Sequence, residues 1–118
     1  MQITAPLLQF QSQLKVWHWM TKSFAQHQAF GDAYDALADS VDEFVETYFG
    51  RYGREPLAGI VVSLKTTVDA STVAAVIAEF KVYLGGLTGE LREATDLLNM
   101  RDGILGEVDH LLYRLSLS

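Results

Sequence analysis

The chain has 118 residues, 49% apolar and 20% charged, so a single soluble globular domain over 1–118 is expected. It has no cysteine, which removes disulfides, thiolate zinc sites and cysteine nucleophiles. Net charge is −6, from 15 acids against 9 bases, and the first base is Lys15, so direct DNA binding through a basic arm is disfavoured. No apolar run reaches the roughly twenty residues of a membrane span. The N-terminus lacks the pattern of a signal peptide, and a cytoplasmic location is the expectation.

Pro6 fits the first turn of an opening helix, where its missing N–H does little harm, with Thr4 or Ala5 as cap. Leu7, Phe10, Leu14 and Trp17 then share one stripe, which predicts a helix over about 5–21. Ser23 followed by Gln26 matches a capping box and opens a second helix, about 24–51, ending near Gly50 and Gly53. Its apolar stripe is Phe30, Tyr34, Leu37, Val41, Phe44 and Tyr48. A second stripe, offset by about 140° at 100° per residue, holds Asp32, Asp35, Asp39, Asp42 and Glu46.

Gly53-Arg54-Glu55-Pro56 reads as a turn. Leu57 to Leu64 is apolar, and periodicity does not separate a short helix from a buried strand. A short helix is expected, because nothing else in the chain supplies a strand to pair with. Asp69 or Ser71 can cap a third helix over about 72–94, with Val73, Val76, Ile77, Phe80, Tyr83 and Leu84 inward. Gly85-Gly86 weakens its middle by about 1 kcal/mol per glycine, so a kink or two shorter helices fit there. Asp96 can cap a fourth helix, about 97–116, with Leu97, Met100, Ile104, Val108, Leu111 and Leu112 apolar. Four amphipathic helices with short links make an all-α, antiparallel four-helix bundle.

The chemically active residues form a ladder. Asp42 and Glu46 are four apart and share a helix face. His27 lies fifteen residues before Asp42, about 22 Å along a helix. His18 sits between tryptophans in Trp17-His18-Trp19. Imidazole with carboxylate suits iron or zinc. One chain's His27 and Glu46 are too far apart on one helix to grip a single ion, so two antiparallel copies are needed to close such a site.

Lys15-Val16-Trp17-His18-Trp19, the run from Gln26 to Tyr34, and Val41-Asp42-Glu43-Phe44-Val45-Glu46 together resemble the Dps branch of the ferritin-like superfamily. The resemblance covers roughly residues 10–52. Dps proteins place a histidine followed by tryptophan in the first helix, a second histidine early in the next, and an Asp-x-x-x-Glu pair at the same interval as here. It implies a ferritin-like bundle with a short extra helix in the connection between the second and third helices. It also implies an iron-binding ferroxidase that stores iron in a hollow homo-oligomer, a two-fold dimer at least and a dodecameric cage by family expectation. Metal ligands would be His18 and His27 of one subunit with Asp42 and Glu46 of its mate, and zinc or manganese fit the same donors. The family's aspartate four residues after the second histidine is Gly31 here, and the two histidines stand about three residues closer than in typical Dps. Overall, the chain looks most like small phage-encoded ferritin-like proteins.

Plainer readings stand beside this one. An acidic ribbon such as Asp32, Asp35 and Asp39 is ordinarily a solvated helix face. Trp17 and Trp19 read as core or interface anchors. Glu107-Val108-Asp109-His110 is a Glu-x-x-His of the kind di-iron bundles use twice, and an intrachain site from Glu46, Glu107 and His110 is a rival metal centre, with Asp32 a lesser candidate. A non-enzymatic helical oligomer, or interaction module, that keeps the fold without the ferroxidase chemistry is the alternative function.

Overall fold

The computed structural model describes residues 2–118. Four helices make up the fold: α1 Thr4–Met20, α2 Phe24–Tyr52, α3 Ala70–Leu91 and α4 Thr95–Leu115. The apolar stripes point inward. Leu7, Phe10, Leu14 and Trp17 from α1 meet Phe30, Leu37, Val41 and Phe44 from α2, Ile77, Phe80 and Leu84 from α3, and Leu97, Ile104 and Val108 from α4. At ~25 cal/mol per Å² of apolar surface, each fully buried side chain of this size stabilises by about 1.5–3 kcal/mol, before conformational entropy is subtracted.

Neighbouring helices run antiparallel. Trp17 packs on Phe30 at 5.4 Å between ring centres, which joins the end of α1 to the start of α2. Arg51 pairs with Asp96 at 3.4 Å, and Arg114 with Asp32 at 2.6 Å, so the two ends of α2 meet opposite ends of α4. Phe10 and Phe80 stack at 4.0 Å between α1 and α3. α2 lies against α1 and α4, and α3 against α4 and, more lightly, α1.

Residues 53–69 between α2 and α3 form no helix, which corrects the expectation of a short helix at Leu57–Leu64. They make a strap that bends at Ala58 and runs extended along α1 over residues 63–67. Gln9 Oε1 accepts from the Ser63 amide at 3.0 Å. Gln13 closes both halves of the Lys65 main chain: Oε1 accepts from its amide at 2.7 Å and Nε2 donates to its carbonyl at 2.8 Å. Trp17 Nε1 donates to the Thr67 carbonyl at 3.2 Å. The match is geometric. Four helical residues advance about 6.0 Å and two extended residues about 6.6 Å, so Gln9, Gln13 and Trp17 keep step with Ser63, Lys65 and Thr67. Side chains of α1 thus supply the partner that the sequence lacked in the form of a strand.

Two caps are local, one comes from a distant residue, and α4 has no side-chain cap. Ser23 Oγ accepts from the Gln26 amide at 3.2 Å. Asp69 accepts from the Thr72 amide and hydroxyl and from the Ser71 hydroxyl, which holds its carboxyl below the usual aspartate value. Neither Thr4 nor Ala5 caps α1. The Glu55 carboxylate, from the strap, accepts from the Ile3 amide and, at 2.6 Å, from the Thr4 hydroxyl, placing a negative charge at a helix N-terminus where the dipole favours it. Asp96 does not cap α4 either. The N-cap is Ala94, and Asp96 sits in the first turn facing Arg51.

α3 continues through Gly85-Gly86 as one helix. It departs from the membrane expectation, since the helix is 22 residues long and holds an 18-residue window with a mean hydropathy of 1.3, by length and composition enough for a span. Its large residues Val73, Ile77, Phe80, Leu84, Leu87 and Leu91 face the bundle core. Lys81 on its flank pairs with Asp109 at 2.7 Å. Its outward face carries small residues (Ala74, Ala78, Gly85, Gly89) together with Val82, which is 75% exposed.

Candidate metal centre on the α1–α2 face

His18 ends α1 and His27 begins α2, and a three-residue link brings them together. Their rings stack with centres 3.8 Å apart and planes 17° from parallel. His18 Nδ1 lies 2.7 Å from the His27 carbonyl, and His27 Nδ1 lies 2.8 Å from the His18 carbonyl. A carbonyl only accepts, so both Nδ1 atoms carry the proton. In the neutral ring this makes each Nε2 the lone-pair atom. This is the tautomer that metal-binding histidines adopt when a carbonyl fixes the ring, so the donor atoms fit a transition metal such as iron.

Gly31 explains itself in this setting. A Cβ there would stand 2.8 Å from His18 Nδ1 and 2.9 Å from Cε1, closer than real contacts allow. The glycine that departs from the Dps pattern is the floor on which the His18 ring rests.

A shallow depression of about 300 Å³ surrounds the pair, with Lys15, Phe24, Asp32 and Asp35 on its rim. Lys15 Nζ stands 4.7 Å above the Tyr34 ring and 5.9 Å from the Trp19 ring. Asp32 is committed to Arg114. Trp17 is buried, but Trp19 is 67% exposed and Phe24 65%, so the two large aromatics beside the histidines project from the surface.

Asp42 and Glu46 are exposed on the same α1–α2 side, toward the other end of α2. Asp42, hydrogen-bonded to Glu46 and negatively charged beside it, pushes the Glu46 carboxyl above its ordinary value of 4.5. A nearby cation would relieve that repulsion. Asp42 also lines an apolar groove of about 270 Å³ formed by Leu7, Leu8, Val41 and Val45 with Thr4, Gln11 and Ala38. This groove, and the exposure of Trp19, are features that periodicity could not display.

Within one chain the ladder stays apart. Among the described residues no three His, Asp or Glu side chains gather as a metal site. The rival set is also dispersed. The Arg51–Asp96 and Asp32–Arg114 pairs fix the α2–α4 register, which puts Glu46 level with Arg101. Glu107 and His110 lie roughly 9 and 13 Å further along α4, and His110 is exposed. Among the described residues no carboxylate enters the core, whose buried polar residues are Thr4, Gln13 and Arg101.

No curated protein and no solved structure matches this chain significantly. Residues 18–115 match a sequence family described as a family of unknown function, DUF5856. That stretch begins at His18 and takes in His27, Asp42, Glu46, the strap and both later helices, and the chain therefore belongs to the DUF5856 family.

Proposed function

We propose that the chain is a Dps-like, ferritin-like iron protein whose metal site forms between two copies. His18 and His27 of one subunit would face Asp42 and Glu46 of its mate across a two-fold axis. Fe(II) is the substrate, dioxygen or peroxide the oxidant, and the oxidised iron the cargo of a hollow homo-oligomer. Two antiparallel helix pairs joined by a single long crossover are the connectivity of ferritin-like bundles, which supports the fold assignment.

One observation carries the reading. The spacing along the helices is regular: a two-fold axis placed near Asp35 on α2 would bisect the interval from His27 to Asp42. The same axis would bisect the interval from the Trp19–Phe24 projection to the Leu7–Leu8–Val41–Val45 groove, about 20 Å in each case. In an isologous interface each copy gives and receives the same contact. Seating Trp19 and Phe24 in the partner's groove therefore brings the histidines to the partner's Asp42, which lines that groove. Aromatic anchors filling an apolar groove are the usual energetic centre of an interface. The free Nε2 atoms and the repelling carboxylates are complementary donor sets for one cation.

The test is anaerobic Fe(II) titration followed by oxidant, with sedimentation in parallel. The expected result is a dimer or larger species that binds Fe(II) and speeds its oxidation, with binding lost in His27→Ala. A monomer that neither binds Fe(II) nor accelerates its oxidation overturns the proposal.

A second reading, a helical oligomer without metal chemistry, has its own observation. The reciprocal bonds between His18 and His27 tie the ends of two helices together, a structural role complete in one chain. It predicts a Trp19-dependent dimer that ignores iron.

A further inference from the structure

α1, α3 and the strap share a cleft with a volume of about 120 Å³. Its inner wall is apolar, formed by Val76 and by Phe10 and Phe80, whose rings stack on each other. A cavity of roughly 150 Å³ takes up a benzene ring, so this one holds a slightly smaller apolar group.

The polar groups around the cleft come from all three elements. Gln9 lies on α1, Ser63 and Lys65 on the strap, and Glu79 on α3. Two acceptors are already occupied: Gln9 Oε1 by the Ser63 amide and Gln13 Oε1 by the Lys65 amide. Among the described residues, Gln9 Nε2, the Ser63 hydroxyl, Lys65 Nζ and the Glu79 carboxylate bond to nothing, and neither charge is in an ion pair. One apolar cleft is thus flanked by an unpaired ammonium and an unpaired carboxylate. The two charges also select among ligands. An apolar acid would bring its carboxylate toward Glu79, and an apolar amine its ammonium toward Lys65. A ligand carrying both charges turns each repulsion into a contact.

We propose that this cleft binds a free α-amino acid with a small branched apolar side chain, of the leucine or valine type. Its carboxylate meets Lys65, with Gln9 Nε2 and the Ser63 hydroxyl as further donors. Its ammonium meets Glu79, and its side chain lies against Val76, Phe10 and Phe80. Lys65 belongs to the strap and Glu79 to α3, so the bound ligand ties the strap down. No residue of the proposed metal site takes part, and either proposal can fail alone.

The probe is L-leucine, followed by NMR of the backbone amides. A saturable response centred on Ser63, Lys65, Val76 and Glu79 is expected, half-complete at about 1 mM or below, within reach of a ligand of about nine non-hydrogen atoms. Isocaproic acid lacks the ammonium and isopentylamine lacks the carboxylate; each should bind at least tenfold more weakly. Lys65→Gln and Glu79→Gln should each weaken leucine binding at least fivefold. Glu90→Gln, equally exposed on α3 but outside the cleft, should leave it unchanged. Saturating leucine should also slow hydrogen exchange at Ser63 and Lys65, because it binds only the closed strap. Shifts that do not saturate, equal binding of the three probes, or equal effects of the Glu79 and Glu90 substitutions would each overturn the proposal.

Discussion

The His18 ring rests on Gly31, with no room for a methyl group between them. Gly31→Ala therefore sets two effects of similar size against each other. Alanine in a helix interior gains about 1 kcal/mol over glycine. Displacing the ring loses its hydrogen bond to the His27 carbonyl, worth about 0.5–1.5 kcal/mol, and its stacking on His27. The expected melting temperature moves by less than about 5 °C. The histidine environment changes far more: the protected Nδ1–H proton of His18 in an NMR spectrum should vanish, and Fe(II) binding with it. A variant that keeps both signals would show that His18 does not depend on Gly31.

Glu46 and Asp42 repel across one helical turn, and the sign of the pH effect follows. The folded-state carboxyl of Glu46 is raised above 4.5. The stability linked to its protonated form is present below the ordinary glutamate value and is lost as pH rises through the raised one. At neutral pH the pair therefore opposes folding. Glu46→Gln should raise the melting temperature at pH 7 in low salt. The gain should fade toward pH 3 and in high salt, because the pair is exposed and screened. The same substitution should weaken Fe(II) binding. A more stable protein that binds no iron is the pattern of a carboxylate kept for a ligand; no stability gain at pH 7 would remove the repulsion argument.

Gln13 is the main fastener of the strap, 2% exposed and bonded at both ends to Lys65. Gln13→Leu fits the volume and suits the core but leaves the Lys65 amide and carbonyl without partners. Lys65 is itself exposed, so water rescues part of the loss, and a cost of about 1–3 kcal/mol is expected. Hydrogen exchange should accelerate at Ser63 and Lys65 while the middle of α2 stays protected. Gln13→Glu keeps the acceptor and loses the donor, so it should fall between the two. Uniform loss of protection would mean that the strap does not open separately.

The four helices were legible because each depends on its own spacing of apolar residues, as in Leu7, Phe10, Leu14 and Trp17. Ser23 and Asp69 were legible as caps because their partners lie three residues away. The strap was not legible. Its bonds link Gln9 to Ser63 and Gln13 to Lys65, more than fifty residues apart, and no local period records them. Glu55 capping α1 failed to show for the same reason. At the candidate site the residue types were readable, but the place of Gly31 required knowing that the His18 ring crosses to α2. Trp17 and Trp19 look alike in sequence; one is in the core and one projects into solvent, because two residues are more than half a helical turn apart.

Arg101 ties α4 to the glycine-rich half of α3. Its guanidinium donates to the Leu84 carbonyl at 2.7 Å, the Thr88 hydroxyl at 2.9 Å and Asp102 at 2.8 Å, and the residue is 8% exposed. Gly85, Gly86 and Gly89 lie within this reach, each costing α3 about 1 kcal/mol relative to alanine. Among the described residues nothing packs within 4 Å of where their Cβ atoms would be. Arg101→Met keeps most of the apolar stem and removes every bond. The charged hydrogen bonds are worth about 1.5–3 kcal/mol, so the loss should be of that order and local: exchange protection should fall in residues 85–91 before it falls in α2. Adding Gly85→Ala and Gly89→Ala to the same variant should restore about 1–2 kcal/mol without restoring the link between the helices. If the alanines rescue nothing, the weakness of α3 lies in its packing on α4 and not in its own backbone.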